Sequence, residues 1–71
     1  MRLSEYLEAR DETPYAFALS MGIPRATVAR IIRFGNPTLA IAEKIIEASR
    51  AKPAPGGGTV TYDDLRHGDA E

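Results

Sequence analysis

Three arginines, Arg25, Arg30 and Arg33, fall within nine residues that contain no acid. A guanidinium presents five N–H donors in a planar fork, which suits phosphate oxygens and the O6 and N7 acceptors of guanine. Other chemistries find less support. The chain has no Cys, which excludes a disulfide framework, a thiolate zinc site and a thiol nucleophile. Its one histidine, His67, lies in the tail with no second His and no nucleophile partner, so a Ser-His-Asp arrangement cannot be assembled. Gly56-Gly57-Gly58 lacks the Gly-Lys-Ser/Thr ending of a phosphate loop. Asp63 and Asp64 sit beside an expected helix start and read as capping residues rather than a cation site. We therefore expect no enzyme activity, no cofactor and no metal.

The charge distribution supports a polyanion partner more than the total does. The 71 residues carry a net charge of -1, which by itself does not suggest a nucleic-acid binder. Residues 1–13 hold two arginines against four acids, a net of -2. Residues 14–52 hold six basic residues against two acids, a net of +4. Residues 53–71 hold one arginine against four acids, a net of -3. A basic centre thus lies between acidic ends, and the three arginines lie inside it. The competing view is a solvated helix face, which explains many charge runs.

Four helical segments must position these residues. Leu3, Tyr6 and Leu7 recur at helical spacing, predicting a helix over residues 3–10. Thr13 is a good N-cap and Pro14 a good first residue for a helix over 14–21, with Phe17, Ala18 and Met21 inward. Gly22 suits a left-handed exit. Pro24 opens a helix over 24–34, with Val28, Ile31 and Ile32 apolar. Gly35-Asn36-Pro37 signals a turn, and Thr38 caps a helix over 39–49 whose apolar stripe is Leu39, Ala42, Ile45 and Ile46. On that helix Lys44 and Arg50 read as solvated charges. Residues 1–52 form the expected domain, and the Pro/Gly-rich residues 53–58 read as a linker. Residues 59–71 form a C-terminal segment with either a short strand over 59–62 or a turn of helix over 62–66, then a frayed tail. No run approaches the roughly 18–20 apolar residues of a membrane span. The N-terminus does not read as a signal peptide, so a cytoplasmic location is expected.

The most informative stretch is residues 14–33, PYAFALSMGIPRATVARIIR. Ala18 lets two crossing helices approach, Gly22 makes the turn, and Ile23, Val28 and Ile31 anchor the second helix on the core. So anchored, that helix must expose Arg25, Ala26, Thr27, Ala29, Arg30 and Arg33. This pattern resembles the helix-turn-helix of the Cro/lambda-repressor-like family, across residues 3–49 and more loosely through Gly58-Thr59-Val60-Thr61-Tyr62-Asp63-Asp64-Leu65. The chain departs from many relatives at Pro14, where they carry Gln, and at Pro24, where they carry a Ser or Thr cap.

The resemblance implies an all-α, compact four- to five-helix domain with a short C-terminal extension. It implies a sequence-specific regulator of transcription that binds double-stranded DNA with the helix over 24–34 in the major groove. The positions that read bases correspond to Arg25, Ala26, Ala29 and Arg30. Thr13, Tyr15, Thr27, Arg33 and Asn36 are placed for phosphates, with helix N-termini adding main-chain donors. A homodimer reading an inverted repeat is expected, because one helix-turn-helix covers only half a site. Val60, Tyr62 and Leu65 are the expected dimer contacts, the competing view being that they fold back on their own subunit. Steric repression is the expected mechanism. The alternative is an antitoxin-like interaction module that binds a partner protein.

Overall fold

The computed structural model describes residues 1–68. Its first helix, α1 (Leu3–Ala9), places Leu3, Tyr6 and Leu7 in the core. The Glu5 carboxylate accepts from the Arg2 backbone N–H at 2.9 Å, which satisfies one open donor at the helix start. The helix stops one residue short of expectation. Arg10 closes it by donating its N–H to Tyr6 and Leu7, and Asp11 follows with a left-handed φ of 52°.

The second helix, α2 (Pro14–Met21), has the expected bounds. The Thr13 hydroxyl accepts from the Ala16 N–H at 3.1 Å, and Pro14 occupies the first turn, where its missing donor costs nothing. Gly22 ends α2 in the left-handed region at φ 69°, and the Ile23 N–H returns to the Ala18 carbonyl at 3.0 Å. The next helix, α3 (Arg25–Phe34), begins after Pro24 rather than at it. Pro24 serves as the N-cap, and its carbonyl accepts from the N–H groups of Thr27 and Val28.

The fourth helix, α4 (Leu39–Ala51), runs two residues beyond the expected end at Ser49. The Thr38 hydroxyl caps it, accepting from Ile41. Its inward face is Ala42, Ile45 and Ser49, one turn apart. Leu39, expected in that stripe, is the first residue of the helix and is 64% exposed.

Residues 53–58 form a closed turn anchored at Ala54, with Pro53, Pro55, Gly56 and Gly57 exposed. Ala54 is buried, its N–H donates to the Gly58 carbonyl and its carbonyl accepts from the Gly57 N–H, both at 2.8 Å. The chain reverses here on Gly56 and Gly57 at φ 89° and 88°, a conformation that an L side chain strains to adopt. The last helix, α5 (Tyr62–Arg66), settles the choice between strand and helix over these residues. The Thr61 hydroxyl accepts from the Asp64 N–H, and the Asp64 carboxylate accepts from the Thr61 N–H, as a capping box requires. Residues 69–71 of the expected tail lie outside the described residues.

Ala54, Val60 and Leu65 join Tyr6, Phe17, Val28, Ile31 and Ile45 in one continuous core. The segment expected to follow the domain therefore completes it. Among the described residues all regular structure is helical, and no helix is long and apolar enough to cross a membrane.

Candidate nucleic-acid interface

Burial of one side of α3 dictates what the other side offers. Val28 and Ile31 are buried, and Ile32 is packed against the core. At 100° per residue, Arg25, Ala26, Ala29, Arg30 and Arg33 fall within an arc of about 140° centred opposite Val28 and Ile31. All five are exposed. Thr27 lies about 60° beyond that arc, on the side of Ile31, and is half-buried. The four expected base-reading residues therefore share one open face with Arg33, while Thr27 flanks it.

None of Arg25, Arg30 and Arg33 forms an ion pair among the described residues, where the pairs run Met1 to Asp64, Arg10 to Glu12 and Arg66 to Asp63. Two of the three guanidiniums instead lie over aromatic rings. Arg25 Cζ is 5.4 Å from the centre of the Tyr15 ring, and Arg33 Cζ is 5.3 Å from that of Phe34. Both distances are within reach of a cation–π attraction, which leaves the N–H donors free for a partner.

The remaining expected phosphate contacts lie at helix starts and in the loop after α3. Thr13 is exposed, and its oxygen already accepts from Ala16, so its O–H is the group left to donate. Tyr15 is 53% exposed in the first turn of α2. Asn36 is exposed with a left-handed φ of 57°, and its backbone N–H is occupied by the Leu65 carbonyl at 2.8 Å, which leaves the side-chain amide.

The expected dimer contacts need correction. Val60 and Leu65 are each 1% exposed and belong to the core of their own chain, leaving only Tyr62, 46% exposed, available to a partner. The cause is the turn at residues 54–58, which folds the segment back instead of extending it.

Sequence reasoning missed three features of the molecule. The Arg25–Tyr15 contact depends on the placement of two helices against each other, which no local pattern reports. The backbone of Gly68 lies against that of Arg33 and Phe34, and a Cβ on Gly35 would stand 2.8 Å from the carbonyl of Arg66. The C-terminal turn is thus seated on the exit of α3, as the pair of glycines at 35 and 68 alone does not reveal. Finally, a cleft of about 250 Å³ lies between Arg10, Phe17, Met21, Ala48 and Lys52, and no α3 residue lines it. Among the described residues no group of three or more His, Cys, Asp or Glu side chains gathers to hold a metal. The chain matches no protein-family model, no characterised protein and no solved structure.

Proposed function

We propose that this protein is a sequence-specific, double-stranded DNA-binding regulator in which α2, the turn at Gly22 and α3 act as a helix-turn-helix. The observation that carries this reading is the open face of α3, which holds three arginines without ionic partners on a helix fixed from behind by Val28 and Ile31. Arg25 and Arg30 would each take a guanine edge in two bonds, worth about 1–3 kcal/mol of discrimination per pair. Ala26 and Ala29 would lie on thymine methyls. Arg33, Thr13, Thr27 and the Asn36 amide would hold the flanking phosphates, with Tyr15 beside them. Two copies related by a two-fold axis would set their α3 helices roughly 34 Å apart, one turn of duplex. Tyr62 is the surviving member of the expected dimer contact. The regulatory effect would be occlusion of a promoter.

Selection of bound duplexes from a random library tests the reading directly. An enriched inverted repeat, bound with an affinity that falls steeply as salt rises, is the expected result. Failure to enrich any sequence, with binding indifferent to salt, would sink it. A second reading, an antitoxin-like module that binds another protein, draws on the exposed Leu19, Phe34 and Leu39. It predicts a stable complex with a protein partner at salt concentrations that abolish DNA binding.

A further inference from the structure

Arg25 is the first residue of α3, and a cation in that position opposes the positive end of the helix dipole. The first turn of α3 holds no acid, and its N-cap, Pro24, has no side-chain acceptor to offer. Nothing on its own helix therefore favours the charge. The compensating group comes from the start of the neighbouring helix. The ring of Tyr15, in the first turn of α2, lies 5.4 Å from the Arg25 guanidinium carbon. The negative face of the ring attracts the cation, and that attraction limits the rotamers of a side chain that would otherwise sample many.

We propose that Tyr15 is a positioning residue for base readout: its ring, rather than its hydroxyl, holds the Arg25 guanidinium in place before DNA arrives. The proposal rests on the DNA-reading role of α3 and reassigns Tyr15 from phosphate contact to control of specificity. Holding Arg25 in place lowers the ordering cost of its two bonds to guanine, and that saving applies only where guanine is the base it meets. Tyr15 therefore sharpens preference at a single base pair without adding a contact to DNA.

Two substitutions separate ring from hydroxyl. Tyr15→Phe keeps the ring and Tyr15→Leu keeps apolar bulk without it; the half-exposed site lets both fold, which thermal unfolding checks. Arg25→Ala first locates the base pair whose preference depends on Arg25. At that pair Tyr15→Phe should retain the wild-type preference, and Tyr15→Leu should reduce it by about two- to fivefold, the worth of an exposed cation–π contact. Preferences elsewhere and the slope of affinity against salt should not change. The Arg25 side-chain protons of the DNA-free protein should show a ring-current shift in the wild type and Tyr15→Phe that Tyr15→Leu removes. A Tyr15→Phe protein that loses affinity uniformly across sequences, with a shallower salt slope, would show a phosphate contact and overturn the proposal. So would a Tyr15→Leu protein with unchanged or sharper preference at the Arg25 base pair. A wild-type protein that prefers no sequence would overturn the DNA-reading role as well, and so differs from a failure of the contact alone.

Discussion

Ser49 and Val60 exchange hydrogen bonds at the centre of the molecule. The Val60 N–H donates to the Ser49 hydroxyl oxygen at 3.0 Å, and that hydroxyl points its proton between the Ile46 carbonyl at 2.8 Å and the Val60 carbonyl at 3.3 Å. Ser49 is fully buried, so the segment after the 54–58 turn is tied to α4 by a side chain that no water reaches.

Ser49→Ala should accordingly cost more than its size suggests. It leaves the Val60 N–H buried without a partner, a loss of about 1–3 kcal/mol. Urea unfolding of the variant checks the figure. Stability within experimental error of the wild type would mean that the segment relaxes to reach another acceptor.

Arg30 and Arg33 share a helix face but differ in expected role. Arg30→Ala should weaken binding to the selected duplex by about 1–3 kcal/mol and relax preference at one base pair. Arg33→Ala should weaken all sequences alike and lower the salt slope by about one. Titrations of selected and scrambled duplexes at several salt concentrations distinguish the two, and identical behaviour of the variants would remove the division between reading and holding.

Gly68 and Gly57 offer a contrast in why glycine is needed. A Cβ at Gly68 would run into the backbone of Arg33 and Phe34, so Gly68→Ala must push α5 from the exit of α3, with a cost of about 1–3 kcal/mol. A Cβ at Gly57 meets nothing within 4 Å, and only its φ of 88° resists, which makes Gly57→Ala the milder change. Denaturation midpoints in the reverse order would contradict this account.

Asp64 gives the fold an acid limb. Burial works to raise its pKa, but hydrogen bonds from the Thr61 N–H and hydroxyl and from the Met1 ammonium outweigh it, holding the carboxyl below its usual 3.8. A carboxyl with a lowered folded-state pKa stabilises the fold fully above its unfolded value and loses that contribution as pH falls through the folded one. The stability difference between the wild type and Asp64→Asn should thus be constant between about pH 5 and 7, where the Met1 ammonium keeps its proton, and shrink below 3.8. A difference that persists unchanged into strong acid would assign the effect to geometry instead of charge.

Local signals made much of the fold legible. Thr13, Pro14 and Gly22 bound α2 at both ends because a cap, a first-turn proline and a left-handed glycine each act over a few residues. The open face of α3 was legible for the same reason, since Val28 and Ile31 fix the helix phase. The end of α4 was not, because nothing at Ser49 stops a helix; Lys52, kept out of the helical region before Pro53 at φ -133° and ψ 74°, does. Nor could the pattern of Val60 and Leu65 tell their own core from a partner's, as both would bury the same apolar atoms. Residues 53–58 have the composition of a flexible tether, yet Ala54 supplies a methyl to the core and two backbone bonds close the turn. The Tyr15–Arg25 contact required two helix starts to be placed against each other, a relation set by tertiary packing alone.

The seating of the C-terminal turn on α3 reverses the usual order in which a small domain opens. Segments near a chain end normally exchange their amide hydrogens first, by fraying. Here the Val60 N–H is bonded to a buried hydroxyl of α4, and the Leu65 carbonyl holds the Asn36 N–H at the exit of α3. Neither amide loses its partner unless two elements separate, so both should exchange more slowly than fraying of a chain end would allow. The exposed first turn of α2, supported mainly by the Thr13 cap, should open sooner.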